Sequence, residues 1–79
     1  MLLHIIYAGA EIILSKEAFD SWREIQDCYD GYTASLGPWD AETVIDYLAI
    51  DYTDLHPSAR TQVNALLAST SLTARLRFG

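Results

Sequence analysis

Leu2-Leu3-His4-Ile5-Ile6-Tyr7-Ala8-Gly9-Ala10-Glu11-Ile12-Ile13-Leu14 is the stretch that decides how this chain is organised. Leu2 to Tyr7 is short, apolar and carries β-branched Ile5 and Ile6. Ala8-Gly9-Ala10 punctuates it, and Ile12-Ile13-Leu14 resumes the apolar pattern. Two such runs around a glycine predict a β-hairpin. The run is too short to span a bilayer, and His4, Gly9 and Glu11 interrupt it. No Lys/Arg cluster precedes it as in a signal peptide, so the expectation is a cytoplasmic protein without membrane contact.

At the far end, Leu72-Thr73-Ala74-Arg75-Leu76-Arg77-Phe78 alternates apolar and polar residues throughout. That is the period of a half-buried strand, predicted to pair with the hairpin. Arg75 and Arg77 suit its exposed side, where charge discourages aggregation.

Three helices are predicted between these strands. Ser15 is the expected N-cap of the first, Lys16 to Tyr29, with Glu17 in its first turn. Ala18, Trp22, Ile25 and Tyr29 share its inward face, and Asp30-Gly31 stops it. Residues 30–39 read as a loop, punctuated by Gly31, Gly37 and Pro38 and anchored by Tyr32 and Trp39. Asp40 caps a second helix to about Tyr52, with Ala41, Val44, Ile45, Leu48 and Tyr52 inward. Pro57 opens a third, with His56 near the cap and Ala59, Val63, Leu66 and Leu67 inward as far as Ala68. The expected fold is α+β over a single domain, residues 1–79. A small antiparallel sheet, the hairpin plus the C-terminal strand, is covered on one face by three helices in the order ββαααβ.

Apolar residues make up 51% of the 79, enough for a packed core. A domain of this size buries only about 60–65% of its unfolded surface, so its stability margin is thin. Cys28 is the single cysteine, which precludes an internal disulfide and suits a reducing compartment. The net charge is −6, unevenly spread. From Glu17 to Asp54 ten acids face one base, Arg23, for a net −9, whereas Leu55 to Gly79 holds no acid and three arginines. Phosphate contacts need clustered Lys or Arg, so the acidic middle argues against direct nucleic-acid binding and suits a basic protein surface.

Signals for catalysis are sparse. The chain has no Gly-x-Ser-x-Gly elbow, phosphate loop or dinucleotide fingerprint. Cys28 with His4 or His56 would be a nucleophile–base pair, but nothing in the spacing brings them together. Asp51-x-x-Asp54-x-His56 offers oxygen and nitrogen ligands at short spacing, yet lacks the central glycine and terminal Glu of an EF-hand loop. No carboxylate pair stands out for acid–base work, and neither an enzyme nor a cofactor is expected.

Two acidic faces remain as candidate partner-binding sites. On the first predicted helix, Glu17, Asp20, Glu24 and Asp27 fall within an arc of about 80°, opposite the apolar stripe. Such a row can be a solvated face or an imitation of a phosphate track. On the second, Asp46, Tyr47, Ile50 and Asp54 lie outward, with Ile50 about 180° from Ala41. An isoleucine and a tyrosine ringed by carboxylates have the make-up of an apolar anchor with a polar rim. The alternative is that Ile50 packs beneath the 30–39 loop or the third helix.

In length and acidity the chain resembles a class, the very small acidic inhibitors that phages encode against CRISPR and restriction systems. That resemblance covers no defined motif. It implies a non-enzymatic inhibitor docking on a basic, nucleic-acid-binding surface of a partner protein. The competing expectation is a homodimer or a subunit of a larger assembly. A third is a small metal-dependent domain using Asp51, Asp54 and His56.

Overall fold

The computed structural model describes residues 1–79. β1 (Leu2–Ala8) and β2 (Glu11–Ser15) form the expected antiparallel hairpin, registered from His4↔Ser15 to Ala8↔Glu11. Gly9 and Ala10 make its two-residue turn, with φ +60° at Gly9, the positive value a type II′ turn requires at its first central position. β4 (Thr73–Arg75) pairs antiparallel with β2, and Glu11 meets Arg75 at 3.1 Å across that edge.

The predicted loop is instead a fourth strand, β3 (Tyr32–Asp40), antiparallel to β1. The sheet order is β3-β1-β2-β4. Gly37 and Pro38 hide this strand from a pattern reading because they occupy a bulge. Leu3 pairs with Trp39 and Ile5 with Leu36, so two β3 residues stand opposite His4 alone. A bulge on an edge strand tolerates proline, whose missing N–H is not needed there.

α1 is Trp22–Cys28, well short of the predicted Lys16–Tyr29. Ser15 does not cap it. Ser15 ends β2, fully buried, and its Oγ accepts the Glu17 N–H at 3.1 Å, turning the chain away before any helix starts. Asp20 N–H donates to Glu24 Oε1 at 2.8 Å at the real helix entry. Of the predicted inward stripe Ile25 is buried and Tyr29 half-buried, whereas Ala18 and Trp22 are exposed.

α2 (Ala41–Asp51) begins as expected: Asp40 accepts the Thr43 N–H at 2.8 Å. α3 (Ala59–Ala68) starts two residues beyond Pro57 and is capped by Ser58, not His56, with Ser58 Oγ accepting from Thr61 N–H. Lys16, freed from any helix, donates from Nζ to Leu66 O and Ser69 O at 2.8 Å each. It satisfies carbonyls at the C-terminus of α3, the negative end of that helix's dipole.

The main core joins Leu3, Ile5 and Leu14 of the sheet to Val44, Ile45 and Leu48 of α2 and Val63 and Leu66 of α3. Each such side chain contributes roughly 1.5–3 kcal/mol on full burial. The three helices do not all cover one face as expected but divide between the two faces of the sheet. α2 and α3 cover the Leu3/Ile5 face. Ile25 of α1 and Phe19 ahead of it lie on the face that carries His4, with the His4 and Phe19 rings edge-on at 5.3 Å. β1 is therefore buried on both sides, with Ile5 and Ile6 equally inaccessible, and its near-continuous apolar sequence follows from that. No helix is long and apolar enough to cross a membrane.

Candidate partner-binding surface

α2 presents two unlike sides. Val44, Ile45 and Leu48 are buried, while Asp46, Ala49, Ile50 and Asp51 are exposed. Ile50 is 77% exposed, at the solvent pole of the helix as its spacing from Ala41 predicts. Asp46 lies one turn before it, and Asp54 follows in the turn beyond the helix, also exposed. An exposed apolar side chain thus lies on the same outer stretch of chain as exposed carboxylates.

Tyr47 is only half-buried on this surface because it belongs to an aromatic wall between α2 and the sheet. Its ring meets Trp39 edge-on at 5.4 Å, and its hydroxyl is 3.4 Å from that of Tyr7. Tyr52, the C-cap of α2, donates its hydroxyl to Tyr7 at 3.2 Å and packs its ring against Phe78. Burial, then the hydrogen bond to Tyr7, pushes the Tyr52 phenol up to about 12. Burial likewise raises Tyr7. For Tyr47 the Tyr7 hydrogen bond acts downward, and Asp51 with burial more than reverses it. Phenols held this firmly protonated are poorly matched to proton transfer near neutrality.

Two other α2 acids are occupied. Hydrogen bonding from Thr43, side chain and backbone together, holds the Asp40 carboxyl below its ordinary value. Glu42 takes a bidentate pair from Arg60 at 2.9 and 3.1 Å, which lowers its pKa and ties α2 to α3. Both partners are well exposed, so water screens the pair and its contribution to stability is small.

The predicted carboxylate row on the first helix is broken. Only Glu24 and Asp27 lie on α1; Glu17 and Asp20 stand in the irregular segment before it. Since α1 and α2 sit on opposite faces of the sheet, the two acidic groups do not form one helix-to-helix track. Cys28 is exposed at the last residue of α1. No three His, Cys, Asp or Glu side chains gather closely enough to hold a metal ion, and the Asp51/Asp54/His56 spacing does not become such a cluster.

The sequence reading missed two residues of structural weight. Gln62 is buried, donating from Nε2 to Pro57 O and Arg77 O and accepting Arg77 N–H at Oε1, which stitches the C-terminal segment to α3. A polar residue beside the inward stripe was the available signal. Lys16 gave none, because its partners are 50 and 53 residues away. Comparison with protein-family models, curated proteins and solved structures finds no match to this chain.

Proposed function

We propose that this chain is a non-enzymatic protein-binding module, an acidic cytoplasmic inhibitor that docks the outer side of α2 on a basic, nucleic-acid-binding surface of a partner protein. The observation that carries this reading is Ile50, 77% exposed on the outer side of α2, with Asp46 and Asp51 exposed on the same helix and Asp54 exposed just beyond it. An exposed apolar side chain with a polar rim is the composition of an interface hot spot. The surrounding charge speeds encounter with a basic target and opposes encounter with an acidic one.

The test is a pull-down with tagged protein, washed at low and high salt, comparing the native chain with Ile50→Asp and Asp46→Asn/Asp54→Asn. Capture of a basic nucleic-acid-binding protein that both variants lose, with unchanged thermal midpoints, supports the reading. Recovery of the chain alone, indifferent to salt, overturns it in favour of self-assembly.

A further inference from the structure

The α1 face of the sheet carries a second feature. α1 is too short to cover it, and two adjoining hollows of about 360 and 340 Å³ remain beside it. They share three lining residues, His4, Phe19 and Pro38. Met1 and Leu2 flank one, and Trp22 and Ile25 flank the other. Trp22 is 54% exposed, and Met1 and Leu2 are also open to solvent. Each hollow falls within the range of about 300–1,000 Å³ typical of ligand sites.

His4 forms the shared floor. It is only 5% exposed, and no protein group hydrogen-bonds to it: burial is the sole influence on its pKa, which it lowers. No buried side-chain nitrogen or oxygen is left without a partner, so the His4 ring nitrogens keep access to solvent, and His4 lines both hollows. A neutral imidazole there offers one donor and one acceptor. With no protein partner in the way, both ring positions are open to a group that displaces water from the hollows.

The rim is acidic. Glu17 lines the first hollow and Asp20 the second, with Glu24 hydrogen-bonded beside Asp20. Of the nearby cations, the Met1 ammonium acts on Asp40, and Lys16 lends only its stem, because its own ammonium is held by the carbonyls of Leu66 and Ser69. The Arg23 guanidinium lies over the Trp22 ring, 5.5 Å from its centroid. A second copy of a chain with net charge −6 would meet repulsion at this rim.

We propose that this groove is a binding site for an extended protein segment in which Lys or Arg residues flank a bulky apolar side chain. The apolar side chain enters between Phe19, Trp22 and Pro38, a main-chain polar group reaches His4, and the basic flanks meet Glu17 and Asp20. This site lies on the opposite face from Ile50 and does not depend on the function proposed for α2.

The experiment is an NMR titration of the full chain with two blocked peptides, Arg-Lys-Leu-Phe-Lys-Arg and Glu-Asp-Leu-Phe-Asp-Glu. The expected result is that the basic peptide shifts the His4 ring and Trp22 indole signals, leaving Ile50 in place. The acidic peptide should bind at least tenfold more weakly. Glu17→Gln/Asp20→Asn should weaken the basic peptide at least threefold, and His4→Phe should weaken it while retaining the methyl signals of Leu3 and Val63. The inference is overturned by shifts confined to α2, by equal affinity for both peptides, or by the same signals moving with protein concentration alone, which marks a second copy as the occupant.

Discussion

Gly37 brings the backbone of β3 so close to β1 that a Cβ there would stand 2.6 Å from the Leu3 carbonyl oxygen, and its φ is +112°. Gly37→Ala therefore meets both a backbone clash and a disfavoured dihedral. It should destabilise the domain by about 1–3 kcal/mol, read from the urea midpoint. An unchanged midpoint would mean that β3 can slide off β1 at no cost. Gln62 is 6% exposed with both ends of its amide used. Gln62→Leu leaves the Arg77 N–H and the Pro57 carbonyl unmet, while Arg77 O keeps the His56 N–H, and a loss of roughly 1–3 kcal/mol should follow in the same assay. Tyr52 carries a pH signature. Its folded pKa lies above the ordinary 10.0, at about 12, so the folded state favours the protonated phenol. That stability is fully present below pH 10 and is lost as pH rises towards 12. The thermal midpoint should fall across this window, and Tyr52→Phe should flatten the fall.

Among the elements, the hairpin, α2 and most of α3 were legible in the sequence because each follows a single period. Asp40 as cap and Ile50 as the solvent pole of α2 came from the same period, so the core of the candidate surface was readable too. β3 was not, because Gly37 and Pro38 read locally as a break and only pairing with β1 makes them a bulge. α1 was overextended because Ser15 and Glu17 imitate a helix start, while pairing of Ser15 with His4 and Thr73 holds it in the sheet. That competition was decided by tertiary contacts, and it also dissolved the carboxylate row. The adjacent apolar pair Ile5-Ile6 is the trace in the sequence of a strand buried on both faces, where helices on one face only were expected. Lys16 belongs to this scale, since it joins the segment after β2 to the end of α3. Lys16→Met should cost about 0.5–1.5 kcal/mol and speed hydrogen exchange in the last turn of α3. Uniform exchange changes across the whole domain would instead point to a global role.

The whole molecule measures 29 × 25 × 21 Å, comparable with the screening length of about 30 Å at 0.01 M salt and well beyond the roughly 10 Å at 0.1 M. At low salt all its charges interact, and the net −6 acts against compaction. The thermal midpoint should rise between these two salt concentrations. A fall would mean that the Arg60–Glu42 and Arg75–Glu11 pairs outweigh the general repulsion. The pairing of β2 with β4 also has a consequence for synthesis. Ser15 meets Thr73, and Leu76 N–H reaches Ile12 O, so the outer edge of β2 waits for a strand made much later. At about 5–20 residues per second, roughly 3–12 s separate these partners on the ribosome. During that interval Ile12, Ile13 and Leu14 are unpaired on one side, and the nascent hairpin is a client for whatever shields apolar edges in the cell.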